Sequence, residues 1–131
     1  MTPLLLDVPV APGLSVSALR RWLTAALSAL GEDHLYDVQL VVTELVTNVL
    51  DHTPGTGRLR LLHHLDPCRV VVEVDDTSPA APVYGRSRLG ENRGRGIVVV
   101  DRISAEWGCR PLAGGGAVSG KTVFAVVDCT G

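Results

Sequence analysis

The chain predicts an α+β two-layer sandwich, a mixed and mostly antiparallel sheet of about five strands with helices on one face. Three features of the sequence lead there. Long apolar stretches in the first half repeat at a helical period, whereas later apolar stretches are short and β-rich. Strand-like segments follow one another closely enough to form hairpins. The length of 131 residues suits one domain, 1–131, and the 46% apolar content can fill its core. Aromatics are only 4%, so that core must be built from Val, Leu, Ile and Ala.

Taken in order, "PLLLDVPV" (3–10) reads as a strand, placed at a sheet edge by Pro9. "SVSALRRWLTAALSALG" follows as a helix. Ser15 or Ser17 can cap its start and Gly31 its end. Leu19, Trp22, Leu23, Ala26, Leu27 and Leu30 keep a 3.6 period. A second helix is expected from about Asp33 to His52, stopped by Thr53, Pro54 and Gly55. Leu35, Val38, Val42, Leu45, Val46 and Val49 fall on one arc of it, and Glu44, Asn48 and Asp51 on the other. Leu40 and Val41 intrude beside the polar arc, which suits a face lining a covered pocket better than one turned fully to water.

"RLRLLHHL" (58–65) and "RVVVEVDD" (69–76) form a hairpin through Asp66 and Pro67. The stretch 79–96, "PAAPVYGRSRLGENRGRG", is a long aperiodic loop, of the kind that serves as a functional lid. "GIVVVDRIS" reads as a short third helix, and "AEWGCRPL" and "KTVFAVVD" as two closing strands.

Several function classes are disfavoured. A net charge of −2 leaves no electrostatic footprint for nucleic acid. No stretch approaches the roughly 20 apolar residues of a membrane span. The N-terminus lacks the basic region of a secretory leader. Cys68, Cys109 and Cys129 are odd in number and include no CxxC, which argues against a disulfide framework and suits a reducing cytoplasm. A zinc site from these with His63 or His64 is conceivable but has no ligand spacing behind it. Gly115 to Thr122 matches the phosphate-binding pattern G-x-x-x-x-G-K-[ST]. The β-rich "VFAVVDCTG" after it cannot supply the helix that motif needs, so a hairpin loop is expected instead.

Three separated pieces carry possible chemistry. Glu44 and Asn48 stand one helical turn apart. An amide oxygen there suits Mg²⁺, which keeps several waters, and leaves the carboxylate as a general base. Alone, the pair reads equally as a solvent-facing stripe. "EVDDTSP" (73–79) ends an apolar strand in two carboxylates followed by small residues. A carboxylate there could accept from an exocyclic amine, or the segment could be an ordinary strand-to-loop turn. "NRGRGIVVV" (92–100) sets Gly94 and Gly96 before an apolar helix. Bare backbone N–H groups at such a start bind phosphate, with Arg93 or Arg95 assisting, though the pattern also suits a plain helix start.

The order of these pieces resembles the histidine-kinase-like (GHKL, Bergerat-fold) ATPases over residues 5 to 127. "ELVTNVLDH", "VEVDDTSP", "GRGIVVVDRIS", "EWG" and "GKTVFAVV" are most similar to the switch-protein serine kinases that act as anti-sigma factors. The resemblance implies ATP and Mg²⁺ as cofactors. It implies that Asn48 ligates Mg²⁺, that Glu44 accepts the proton of an attacking hydroxyl, and that Asp51 and His52 line the phosphate end. The pattern Val-x-Asp-x-Ser selects Asp76, with Ser78 after it, as the adenine-binding carboxylate. Gly94 and Gly96 match the second glycine box, with Arg93 and Arg95 between and beside them, and residues 80–95 the lid. Thr122 matches the threonine that holds an adenine-side water. The implied reaction is phosphorylation of an anti-anti-sigma (STAS-domain) partner, with a sigma factor as second partner and a homodimer as a common assembly. One departure stands out: the first glycine box, Asp-x-Gly-x-Gly in the wider family, reads "DTSPA" here. That and the short lid motivate a rival reading, a non-catalytic or weakly ATP-binding interaction module. A detached sensor-kinase domain phosphorylating histidine is a further rival, without a preceding dimerisation helix to support it.

Overall fold

A computed structural model describes residues 4–28, 32–51, 55–65, 68–77, 100–111 and 120–129. The elements are β1 (Leu4–Val10), α1 (Val16–Leu27), α2 (Glu32–Asp51), β2 (Gly57–Leu65), β3 (Cys68–Asp76), β4 (Glu106–Pro111) and β5 (Lys121–Asp128). The strands form one sheet in the order β1-β2-β3-β5-β4, and every pairing is antiparallel. The expected parallel component is therefore absent among the described strands. β1 lies at an edge, as Pro9 requires, because an edge position spares a ladder hydrogen bond that proline cannot donate.

Ser15 resolves the choice of cap for α1: its backbone is extended and its side-chain oxygen accepts the Ala18 N–H at 3.2 Å. Leu19, Leu23 and Leu27, four apart, are fully buried, whereas Trp22 rides at the margin. The closing role of Gly31 lies outside the described residues. α2 buries Val38, Val41, Val42, Leu45, Val46 and Val49. Val41, expected beside the polar arc, is thus a core residue. Gln39 donates from Nε2 to Thr24 Oγ1 at 3.2 Å, joining the two helices.

Strand parity decides which side chains face the helices. Leu59 and Leu61 of β2, Val70, Val72 and Val74 of β3, and Val123, Ala125 and Val127 of β5 are all buried. Successive side chains alternate across a sheet, so these positions share the helix-facing side. The core sits between that side and the two helices. The lid expected at 79–96 lies outside the described residues. Of the expected third helix, residues 100–103 are helical. Val100 is completely buried, and Trp107 Nε1 donates to Asp101 Oδ1 at 2.9 Å, tying this turn to β4.

The cysteines depart from expectation. Cys68 at the start of β3 and Cys129 just past β5 are joined by a disulfide, with Cα atoms 5.3 Å apart. Cys109 is free and exposed. An odd cysteine count did not exclude a bridge, because the antiparallel β3–β5 ladder brings two residues 61 apart in sequence to one sheet end.

Candidate functional site

The two acidic residues that end β3 point to opposite faces. Asp76 continues the parity of Val70, Val72 and Val74, faces the helices and is completely buried. Its Oδ2 lies 3.2 Å from the ammonium of Lys121, whose side chain is 5% exposed. The β3–β5 register sets these two residues opposite each other. Asp75 takes the other parity. It accepts two hydrogen bonds from the Arg60 guanidinium, both at 2.8 Å, and one from Thr122 Oγ1 at 2.7 Å. Burial alone would push the Asp75 carboxyl up, but the bonds from Arg60 and Thr122 outweigh it and hold the group below the usual carboxylate range. Donating to Asp75 raises the Arg60 guanidinium further above its ordinary value. Arg60 also meets Glu73, which in turn pairs with Arg110, so the outer face of the sheet carries a closed charge network. Asp75 is committed to that network, and Asp76 is the carboxylate that faces the helix side.

Thr122 lies on the outer face of the sheet. It was expected on the adenine side, but cross-strand partners share a face, and Thr122 pairs with Asp75. It stands across the sheet from Asp76. Lys121, which sequence reasoning missed, occupies the helix-facing position beside Asp76. The signal was present in "KTVFAVVD", since Lys121 has the parity of Val123, Ala125 and Val127.

The rim next to Asp76 is tightly built. Gly57 lies opposite Asp76 in the β2–β3 register, and a Cβ there would meet the Asp75 carbonyl oxygen at 1.8 Å. No side chain fits without separating the strands. Beyond this pair, the Thr77 N–H donates to the Thr56 carbonyl at 3.1 Å, and the two threonine hydroxyls lie 2.7 Å apart. These bonds fix the backbone where the chain leaves β3.

Glu44 and Asn48 stand one turn apart on α2. His34, in its first turn, has His63 and Asp128 among its electrostatic neighbours, which places that turn where β3 begins and β5 ends. From His34 to Asn48 the helix advances roughly 21 Å at about 1.5 Å per residue. From Cys68 to Asp76 the strand advances about 26 Å at about 3.3 Å per residue. A helix lying along β3 from that end would carry Asn48 toward the Asp76 end of the sheet. Glu44 and Asn48 are both half-buried on one flank of α2, and Asp51 is exposed. They flank the apolar arc instead of opposing it. Glu44 also lines a groove of about 200 Å³ with Arg20 of α1 and Tyr36, Gln39, Leu40 and Thr43 of α2. Asn48 is not part of that groove. His52, Ser78, Arg93, Gly94, Arg95 and Gly96 lie outside the described residues.

The donor set fits the expected metal. A neutral amide and a carboxylate one turn apart offer hard oxygen donors without the thiolates or imidazoles that select softer ions. Asn48 would hold Mg²⁺, which when bound neutralises charge on the phosphate oxygens.

No curated protein matches the chain in sequence. The family model described as the histidine kinase-like ATPase domain matches residues 8–119, a span from within β1 almost to the start of β5. The antiparallel sheet with its helical layer agrees with that match, and the chain belongs to the histidine kinase-like ATPase family.

Proposed function

We propose that this domain, acting as a single unit over residues 1–131, binds Mg·ATP and phosphorylates a serine or threonine of an anti-anti-sigma (STAS-domain) protein. It also holds a sigma factor as an alternative partner, as a regulator in the cytoplasm that pairs with a second copy. The observation that carries this reading is the buried, helix-facing Asp76 at the end of β3, with Glu44 and Asn48 half-buried on one flank of α2.

In this reading each residue has one task. Asp76 accepts a hydrogen bond from the exocyclic amine of adenine, and the small residues after it in sequence, Thr77 and Ser78, admit the ring. Asn48 offers its amide oxygen to the metal. Glu44 takes the proton of the incoming hydroxyl. Asp51 and His52 border the phosphates, and the N–H groups of Gly94 and Gly96, with Arg93 and Arg95, cradle them. Positioning and charge neutralisation dominate such a transfer, so displacing any one of these groups lowers the rate.

One observation favours a second reading, a module that binds ATP weakly and acts through protein contacts. Lys121 already donates to Asp76, so adenine must share that carboxylate with an ammonium.

Calorimetric titration with ATP, with and without Mg²⁺, separates the two. Kinase competence requires binding that falls roughly 10-fold to 100-fold in Asp76→Asn, the loss of one hydrogen bond to a charged group. It also requires that Asn48→Ala abolish the Mg²⁺ dependence. Transfer of labelled phosphate to a purified STAS-domain protein, lost in Glu44→Gln, completes the test. Wild-type protein that binds a sigma factor but no ATP would establish the second reading.

A further inference from the structure

At the sheet end opposite Asp76, three metal-binding side chains meet on the helix-facing side. His63 pairs across β2–β3 with Val70, a core residue, so its ring shares the core face. Cys68 has the parity of Val70, and Cys129 that of Val127. The Cys129 N–H donates to the Cys68 carbonyl at 3.0 Å, continuing the β3–β5 ladder past its last paired residues. His63 Nε2 lies 3.2 Å from Cys68 Sγ. The ligand atoms of His63, Cys68 and Cys129 all fall within 4.8 Å of one another, and all three residues are half-buried.

A second observation lies close by. His34, in the first turn of α2, is 3% exposed, and neither ring nitrogen has a hydrogen-bond partner among the described residues. Buried imidazoles ordinarily satisfy at least one nitrogen. Its charge environment includes His63 and Asp128, so it is a further nitrogen donor at this end of the core.

We propose that, once the Cys68–Cys129 bond is reduced, His63, Cys68 and Cys129 bind Zn²⁺, and that this sheet end alternates between a disulfide and a thiolate metal site. Tetrahedral zinc holds sulfur at about 2.3 Å and nitrogen at about 2.0 Å, so its ligand atoms stand roughly 3.5 Å apart. His63 Nε2 already lies near that spacing from Cys68 Sγ, and cleavage of the bridge lets the two sulfurs separate to it. Thiolate and imidazole donors select zinc over magnesium, so the site is chemically distinct from the Glu44–Asn48 flank of α2.

The exchange balances with a dithiol as reductant. One thiolate of the dithiol attacks a sulfur of the bridge, and the second resolves the mixed disulfide. The reductant leaves as its cyclic disulfide. Two electrons and two protons end on Cys68 and Cys129. Zn²⁺ then displaces both thiol protons to solvent. A disulfide oxidant reverses the sequence, re-forming the bridge and releasing the metal.

The test uses the full chain, reduced with a phosphine under anaerobic conditions and freed of reductant. Titration with Co²⁺ is expected to give a thiolate-to-cobalt absorption that saturates at one equivalent and is bleached by Zn²⁺. Oxidised protein is expected to give none. Cys68→Ser and Cys129→Ser should each weaken binding roughly 100-fold or more, beyond the range for residues that merely support a ligand. His63→Ala should weaken it at least about tenfold, and Cys109→Ser should leave it unchanged. Zn²⁺ should raise the melting temperature of reduced wild type but not of Cys68→Ser, a comparison in which neither protein carries the bridge. A reduced wild type without the cobalt band overturns the proposal. So does a band that survives in both cysteine variants or disappears in Cys109→Ser.

Discussion

Replacing Lys121 with methionine tests the most consequential contact of the candidate site. The ammonium and the Asp76 carboxylate lie 3.2 Å apart, with side chains 5% and 0% exposed. At an effective dielectric of about 20, unit charges at that distance attract by roughly 5 kcal/mol before desolvation is counted. Methionine roughly keeps the volume of lysine but removes the ammonium that faces the buried carboxylate. Removing one partner of such a pair costs about 3–5 kcal/mol. Urea unfolding of Lys121→Met, Asp76→Leu and the double variant forms a cycle. The double variant should recover most of the loss, because two apolar groups replace two charges that no longer need each other. Stability of Lys121→Met within about 1 kcal/mol of wild type would refute this, since an exposed pair contributes no more than that. The same variant bears on nucleotide binding. If Lys121 competes with adenine for Asp76, then Lys121→Met should bind ATP more tightly at a temperature where it stays folded.

Three further outcomes are expected. Gly57→Ala places a methyl 1.8 Å from the Asp75 carbonyl; forcing the strands apart beside Asp76 should cost about 2–4 kcal/mol, read as a lower urea midpoint. Burial lowers the pKa of His34 from 6.5, against the opposing pull of Asp37 and Asp128. The unfolded chain then binds the proton first, so stability is full above about pH 6.5 and falls as pH drops through the folded pKa. His34→Phe should flatten that slope in acid denaturation curves. Reducing the Cys68–Cys129 bridge, or Cys129→Ser, opens a loop of 61 residues; without added metal this should lower stability by about 4 kcal/mol, seen as a lower melting temperature.

Much of the molecule was legible before any coordinates. Each described strand, α2 and the start of α1 lie within about two residues of where periodicity and punctuation place them, whereas α1 ends at Leu27, short of the expected Leu30. Local chemistry decides such features: Ser15 caps because its side chain reaches the Ala18 N–H, and Pro9 keeps β1 at an edge. Parity along "RVVVEVDD" likewise separates Asp76, in phase with the core valines, from Asp75. Glu44 and Asn48 were visible as a pair because a helix repeats every 3.6 residues.

Tertiary structure decided what depends on register between strands. Thr122 and Lys121 are neighbours in sequence, yet the β3–β5 pairing sends one to the outer charge network and the other to Asp76. A shift of one residue reverses every face, and no single strand carries that information. The bridge between Cys68 and Cys129 and the approach of His63 arise the same way, from residues distant in sequence brought to one sheet end. The burial of His34 depends on how α2 lies along β3, which helical periodicity cannot specify. The sequence by itself determined the elements and the chemistry they carry. Packing between elements determined which of those groups meet, because contacts across a sheet depend on register and not on neighbourhood along the chain.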